Sequence, residues 1–240
     1  MEQLEFHLSK NQTKKVLDIG TGVGNFIFLL TQALKEYDEI VGIDTSKRAV
    51  ELARDNFPNQ EKIIFSVMDA RQIDYPNDYF DAVCLSNSLH HLNDAQSIFD
   101  EMERVLKPKG LLIIHEMISY PLTLKQVSHK LIHHFSAEID RLLGMTHDDT
   151  YTKKEIEEKL HLYSSCLIED SWVPVHKEKH EFSKEEVDQV ILSLDQMLNR
   201  IPNQDQLPYF KQKAEAIKKH MNEHGFDLAT QYMFILKKSE

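Results

Sequence analysis

The sequence predicts an α/β protein in which a parallel sheet is covered by helices on both faces. Three observations lead to this prediction. Short runs of β-branched residues alternate with amphipathic helical stretches through the first half of the chain. A glycine-rich turn at residues 20–24 separates the first run from the first helical stretch. The length of 240 residues suits one α/β domain with an elaboration better than two full domains.

The first half of the chain supplies five predicted strands with helices between them. The strands are the short apolar runs at residues 16–19, 39–43, 63–67, 80–85 and 111–114. The helices follow the glycine turn to about residue 37, run from a Ser46 cap to residue 56, and cover residues 94–106. Lys107-Pro108-Lys109-Gly110 is expected to end the last of these, because proline and glycine both stop a helix.

The second half is predicted to be mainly helical. Helices are expected at residues 122–143, at 153–160 behind a Thr152 cap, at 184–198, and from beyond Pro202 and Pro208 to about 222, with strands at 166–176 and 231–236. The predicted divisions are a core at 1–120, a helical insertion at 121–163, a strand segment at 164–182, a second insertion at 183–224 and a final strand segment at 225–240.

Charge and composition exclude several classes of protein. The chain has 28 basic and 39 acidic residues, a net charge of −11, which would repel a phosphate backbone, so nucleic acid is not expected as a partner. No apolar run is long enough to cross a bilayer, and no secretory signal is visible at the acidic N-terminus, so no membrane association is expected. Cys84 and Cys166 make no disulfide framework, which favours a cytoplasmic protein.

The glycine turn after the first strand is a candidate ligand loop. It reads Asp18-Ile19-Gly20-Thr21-Gly22-Val23-Gly24, and glycines there let the backbone approach a ligand beside a helix N-terminus. The nicotinamide-binding version would read G-x-G-x-x-G. Asn25 stands where its third glycine belongs, and Asp18 precedes the loop, so a nicotinamide-dependent oxidoreductase is a disfavoured alternative.

Two acidic residues follow the next two strands. Asp44 comes 20 residues after Gly24, where a carboxylate can accept both hydroxyls of an adenosine ribose or can simply stabilise the N-terminus of the following helix. Asp69 follows the third strand, where it can accept a hydrogen bond from an adenine amine or act as a turn aspartate. Both alternatives stay open from the residues alone.

In these segments the chain resembles the class I S-adenosylmethionine-dependent methyltransferases. The resemblance rests on residues 16–24, 42–46, 69–70 and 80–83 and the turn at 106–110, in the right order and spacing, and covers roughly residues 14–116. It implies a Rossmann-like sheet of seven strands whose last strand is antiparallel, with S-adenosyl-L-methionine as cofactor. The expected hairpin-like pairing of the strands at 166–176 and 231–236 agrees with that topology.

The resemblance also implies which residues bind the cofactor. They are Asp18, Gly20, Thr21, Gly22, Gly24, Asp44, Thr45, Asp69, Ala70 and Asn87. The loop would cradle the methionine end, Asp44 would hold the ribose, Asp69 with Ala70 would contact the adenine, and Asn87 would lie beside the sulfonium.

The acceptor is expected to be a small molecule held under a helical lid. Ser86-Asn87-Ser88-Leu89 lacks the Asn/Asp-Pro-Pro-aromatic signature of enzymes that methylate base amines, and the acidic charge agrees. The lid would consist of the two insertions. The alternative is that these insertions only enlarge the hydrophobic core. Among the histidines and acids at the strand ends, His115 and Glu116, with His91, are the candidate bases; loop packing explains these residues equally well.

Seven of the 13 histidines lie between residues 90 and 147, several of them on one predicted helix. A divalent metal can bind His129 with His133, or His134 with Glu138, at i, i+4 spacing, and residues 147–149 can complete such a site. The alternative is a solvated helix flank with charge pairing.

Two further functions therefore stay open. One is a metal-dependent methyltransferase that uses the His, Asp and Glu residues of 115–149; the other is a non-catalytic sensor of a cofactor or metal.

Overall fold

A computed structural model of the chain describes residues 2–174 and 180–240. Its centre is a seven-stranded sheet in the order β3-β2-β1-β4-β5-β7-β6. The strands are β1 Lys15–Ile19, β2 Glu39–Asp44, β3 Ile63–Val67, β4 Phe80–Ser86, β5 Leu106–Met117, β6 Leu167–Trp172 and β7 Gln231–Lys237.

The described helices alternate with these strands in the first half and cluster in the second. They are α1 Glu2–Lys10, α2 Asn25–Ala33, α3 Lys47–Asn56, α4 Ala95–Val105, α5 Leu124–Leu142, α6 Lys153–Tyr163, α7 Lys184–Leu198 and α8 Leu207–His224, with a short 3-10 helix at Leu89–His91. None of the helices within the described ranges is long and apolar enough to cross a lipid bilayer.

Strand directions confirm the predicted fold class. The pairs β1–β2, β1–β4, β2–β3 and β4–β5 are parallel, whereas β6–β7 is antiparallel. The Lys109 N–H donates to the Ser239 carbonyl, and the Lys238 N–H donates to the Gly110 carbonyl. Residue numbers therefore increase along β5 while those of the paired residues at the end of β7 decrease. This means that β7 is antiparallel to β5 as well.

The chain divides into two compact units. The first comprises residues 2–116, 156–174 and 232–240 of the described chain and contains the sheet. Val16, Leu17, Val83 and Cys84 are completely buried in its central strands, as expected of a parallel sheet with both faces covered.

The second unit comprises residues 117–155 and 180–231 of the described chain. Its core is built by α5, α7 and α8, which carry apolar side chains at helical spacing. These buried residues are Ile132, Phe135, Ile139, Leu194, Ile201, Phe210, Ala214, Ile217, Met221 and Phe226. Thr123 and Ser183 begin α5 and α7 with capping boxes.

Two features of the first unit differ from the sequence prediction. Helix α1 was not predicted. Its two buried leucines, Leu4 and Leu8, lie one turn apart, and two positions give only a weak periodic signal in a helix of nine residues. Residues 107–110 were predicted to be a turn before the fifth strand, but they lie within β5. Lys109 takes a left-handed φ of 60°, and the β4–β5 register shifts between Phe80 and Ala82, so the segment is a β-bulge.

Other corrections concern element ends. Helix α2 ends at Ala33 rather than near residue 37. Strand β6 ends at Trp172, two residues before Pro174, which has no N–H to pair; the predicted end at residue 176 lies outside the described residues. Pro208 does not interrupt α8 but sits in its first turn, where a missing N–H costs nothing.

Candidate functional site

The candidate site is built from the carboxyl ends of parallel strands, where the loops after β1, β2, β3, β4 and β5 meet one edge of the sheet. The loop after β1 bends sharply at Gly20, Gly22 and Gly24, whose φ angles are 65°, 54° and 89°. A side chain at Gly20 would place its Cβ 2.5 Å from the Ser88 Oγ, whereas a Cβ at Gly22 would have no protein atom within 4 Å. The loop therefore packs against the β4 end at Gly20 and leaves open space beside Gly22.

Asp18 is a buried carboxyl group beside the buried hydroxyl of Thr21. It is 1% exposed, and neither of its oxygens has a hydrogen-bond partner among the described residues. Burial raises the pKa of Asp18 to about 7; the Thr21 hydroxyl lowers this pKa and the Asp44 charge raises it further. The Thr21 hydroxyl is likewise buried without a hydrogen-bond partner in the described chain. Buried polar groups in this state indicate a site for a polar ligand.

Asp44 ties the glycine loop to the next helix. One of its oxygens accepts the Gly22 N–H at 2.9 Å, and the other accepts the Ser46 N–H at 2.8 Å. Each oxygen keeps capacity for a second donor, such as a hydroxyl group. Thr45 is exposed beside it, and the Ser46 hydroxyl caps α3, as the sequence predicted.

Asp69 forms an ion pair that the sequence analysis missed. Arg71 approaches both carboxylate oxygens, with its Nη2 2.5 Å from Oδ2 and its Nε 3.0 Å from Oδ1. These hydrogen bonds lower the pKa of Asp69 to about 2. Ala70 is half-buried between the two charged residues. The i, i+2 spacing of acid and base was the available signal for this pair.

The loop after β4 is fixed to the neighbouring strand. Asn87 takes a left-handed φ of 47°, and its N–H donates to the His115 carbonyl at 2.7 Å. The Ser88 hydroxyl donates to the Ser86 carbonyl at 3.0 Å and lies 3.5 Å from the Gly20 carbonyl. These serines were not singled out by the sequence, because single serines after a strand are common.

His115 lies at the carboxyl end of β5. Its Nδ1 is 3.1 Å from the Ser86 hydroxyl, and its ring stacks on Phe26 with centroids 5.5 Å apart. The residue is 8% exposed, so its position is fixed by packing as well as by the hydroxyl contact.

Glu116 is buried completely and holds the 3-10 helix against β5. One carboxylate oxygen accepts the Leu89 N–H at 3.0 Å, and the other lies 2.7 Å from the His90 Nδ1. Its geometry is that of an anchor. His91, the third candidate base, is exposed, with its ring 4.3 Å from that of His90.

The histidines of α5 contact different parts of the chain. His129 accepts the Ala229 N–H at 3.0 Å, and His134 lies 2.8 Å from the Thr150 hydroxyl. Burial lowers the pKa of both rings. Glu138 contacts Tyr209 at 3.0 Å and also Lys213, while His133 meets His147 across the chain reversal after α5.

Comparison with known proteins identifies the first half of the chain. Residues 17–114 match the family described as a methyltransferase domain. Methyltransferase GfsG of Streptomyces halstedii is 31% identical over 153 residues, which are 62% of this chain and 54% of that protein. Demethylmenaquinone methyltransferase of Thermotoga maritima is 33% identical over 105 residues, 44% of each chain. The chain thus spans about half the length of these curated relatives.

Solved structures share the fold over nearly the whole chain. The YcgJ protein of Bacillus subtilis superposes with a TM-score of 0.60 at 17% identity, covering 100% of this chain and 99% of that one. The [4+2]-cyclase SpnF superposes with a TM-score of 0.59 at 18% identity, covering 99% of this chain and 80% of that one. Because one neighbour is a cyclase, the fold alone does not determine the reaction.

Proposed function

We propose that the protein is a class I S-adenosylmethionine-dependent methyltransferase and that it transfers a methyl group to a small-molecule acceptor, because residues 17–114 match a methyltransferase domain and the curated relatives are named methyltransferases. The observation that carries the proposal is the buried Asp18 carboxyl group, which has no hydrogen-bond partner within the described chain. A cationic ligand group beside Asp18 would offset the cost of burying its charge.

The residues present fit S-adenosylmethionine. Asp18 and the Thr21 hydroxyl offer unused polar atoms to the ammonium and carboxylate of the methionine part, and the open space beside Gly22 admits it. Asp44 keeps acceptor capacity for the two ribose hydroxyls. In the described chain no side chain caps the N-terminus of α2, so its backbone N–H groups are available to a carboxylate.

The adenine end is proposed to lie against Asp69 and Ala70. Arg71 occupies one side of each Asp69 oxygen, and a carboxylate has about four acceptor positions, so the adenine amine can still donate to it. The Arg71 contact also keeps Asp69 ionised, since it lowers the pKa of this carboxyl to about 2. Asn87, held by the His115 carbonyl, is proposed to lie beside the sulfonium.

When bound, the cofactor supplies a methyl group bonded to a positively charged sulfur. The protein's part is to align the acceptor atom with that group, which can contribute several kcal/mol, about 7–11 at most. We propose that His115 removes the acceptor proton, because its ring is fixed by Phe26 and lies 3.1 Å from the Ser86 hydroxyl. Glu116, the neighbouring residue and the second candidate base, is proposed to position the 3-10 helix instead.

A small-molecule acceptor is proposed on two grounds. The net charge of −11 opposes binding to nucleic acid. One relative is named for demethylmenaquinone, a small molecule, although the chain covers only 44% of that protein. We further propose that the two helical insertions, which leave the chain after β5 and after β6, close over the acceptor as a lid that excludes water.

The test uses S-adenosylmethionine carrying a labelled methyl group and a small-molecule extract of cells. After incubation with the protein, label is expected in the organic-soluble fraction and not in precipitated protein or nucleic acid. The matched control is Asp44→Ala, which removes the ribose acceptor and the Gly22 anchor together. Label in the nucleic acid fraction would contradict the small-molecule acceptor, and label in no fraction would contradict methyl transfer.

A further inference from the structure

Two histidines in the second unit bring their Nε2 atoms together. His133 lies on α5, and the chain reverses after Leu142 so that His147 returns to the same helix. The two Nε2 atoms are 3.4 Å apart, and the ring centroids are 4.8 Å apart with planes at 81°. Imidazole nitrogens bound to one tetrahedral Zn²⁺ at about 2.0–2.1 Å are separated by about 3.3–3.4 Å. The observed separation is therefore that of two ligands of one ion.

The ring of His147 is held in the orientation that metal binding needs. Its Nδ1 lies 2.6 Å from a carboxylate oxygen of Asp140, which is about two helical turns further along α5 than His133. A carboxylate there accepts a hydrogen bond from Nδ1–H and fixes the ring with its Nε2 toward His133, an arrangement common around zinc-bound histidines. His147 is 5% exposed, so this orientation is fixed in the core of the loop.

Two arginines close to the histidine pair each contact a carboxylate. Arg200 contacts the second oxygen of Asp140. Arg141 lies 3.1 Å from Asp149 and donates to the His147 carbonyl at 2.5 Å, which holds the loop in place. Both guanidinium groups thus have a negative partner, and their repulsion of a bound divalent cation is reduced.

We propose that His133 and His147 bind one transition-metal ion, with zinc as the expected species, and that Asp140 positions His147 for it. Neutral imidazoles suit zinc, copper and nickel better than magnesium or calcium, which prefer oxygen. Two protein ligands leave coordination positions to water or to a ligand molecule. His133, Asp140 and His147 all belong to residues 117–155, within the second unit.

Cobalt titration tests the metal site directly. Co²⁺ replaces zinc and gives visible absorption whose intensity separates tetrahedral from octahedral coordination. We expect one equivalent with tetrahedral-type absorption in the wild type, displaced by added zinc. His133→Gln and His147→Gln are each expected to weaken binding at least tenfold, while His161→Ala, which removes a histidine of α6, leaves it unchanged. Asp140→Asn is expected to weaken binding between about 10- and 100-fold.

Unfolding curves recorded without metal show whether each variant is folded. If His133→Gln and His147→Gln are folded and bind Co²⁺ as tightly as the wild type, the proposal is wrong. Absence of a one-equivalent transition in the wild type would also overturn it and would leave the two rings joined by a hydrogen bond only. The titration needs neither S-adenosylmethionine nor an acceptor, so its result is independent of the proposed methyl transfer.

Discussion

Asp18 illustrates at the scale of one residue how binding and stability oppose each other. Its carboxyl group is buried beside Cys84 of the neighbouring strand. Burial raises the pKa of that thiol well above its usual value, and the charge of Asp18 raises it further. A carboxyl group with no partner destabilises the folded chain when it ionises. Ionised Asp18 therefore lowers the stability of the protein without ligand, and a bound cation would offset this loss of stability.

Replacing Asp18 by Asn is therefore expected to stabilise the ligand-free protein. The pKa of Asp18 is raised from 3.8 to about 7, so between these values the folded chain binds more protons than the unfolded chain. The free energy of unfolding of the wild type consequently falls as pH rises from about 4 to about 7 and is level above that. In Asp18→Asn this fall is lost, which leaves the variant about 1–3 kcal/mol more stable at pH 8.

Urea unfolding at a series of pH values measures this difference. Asp55→Asn, which removes an exposed carboxylate of α3, is the control and should follow the wild-type curve. Affinity for S-adenosylhomocysteine, which keeps the ammonium group, is expected to fall at least tenfold in Asp18→Asn. A variant that is no more stable but still binds as the wild type does would contradict the role given to Asp18.

His115→Gln is expected to reduce turnover and leave cofactor binding intact. Loss of a general base typically costs about 10²–10⁴ in kcat. The substitution keeps a polar group near Ser86, so the fold should persist. Steady-state kinetics with the acceptor found by label transfer, together with calorimetry of S-adenosylhomocysteine, separate the two effects. Unchanged kcat would remove His115 from the mechanism.

The structure brings together those predicted residues whose place follows from position at a strand end. Asp44 and the loop glycines occur at fixed distances along one strand-turn-helix unit, and the structure places them together. Arg71 and Ser86 were missed because their contacts depend on side-chain direction, which spacing does not define. The pairing of His133 with His147 was missed because it depends on a chain reversal in a loop.

At the scale of elements, two carboxylates of the first unit join one element to the next. Glu116 joins β5 to the 3-10 helix. Asp81, part of the segment that carries the family resemblance, accepts the N–H groups of Lys14 and Lys15 at 2.9 and 2.8 Å and pairs with Lys107 at 2.6 Å. Its role in this chain is to fix the start of β1 beside β4.

Glu116→Gln is expected to destabilise the protein by about 2–3 kcal/mol, because the amide can accept only one of the two hydrogen bonds and places a donor against the other. Thermal and urea unfolding measure this loss. Glu51→Gln on the exposed face of α3 is the control, with an expected change within about 0.5 kcal/mol. A Glu116→Gln variant that is as stable as the wild type yet inactive would instead make Glu116 the base.

Elements were predicted well where the periodic signal was long or the cap chemistry specific. Helix α7 has the predicted bounds, Lys184–Leu198, and Ser46 caps α3 as expected. Predictions were wrong where local and tertiary signals disagree. Proline and glycine at 107–110 indicate a turn, yet pairing with β7 keeps this segment in the sheet. Helix α5 was predicted to end at residue 143 but ends at Leu142, and Leu142 and Leu143 are 36% and 42% exposed.

At the scale of the whole molecule, the order β3-β2-β1-β4-β5-β7-β6 brings five loops to one edge and leaves room for long insertions after β5 and β6. The match to the methyltransferase domain covers residues 17–114, in the first half of the chain. The motifs at the strand ends lie in that half, whereas the insertions of the second half gave only helical periodicity.

The measurement that tests the central claim most directly is calorimetric titration with S-adenosylhomocysteine. The account predicts saturable binding at one equivalent in the wild type and affinity at least 100-fold weaker in Asp44→Ala, which loses the ribose acceptor and the Gly22 anchor. A parallel titration with NADH is predicted to give no heat of binding. Binding of NADH in place of S-adenosylhomocysteine, or equal affinity of Asp44→Ala and the wild type, would contradict the account.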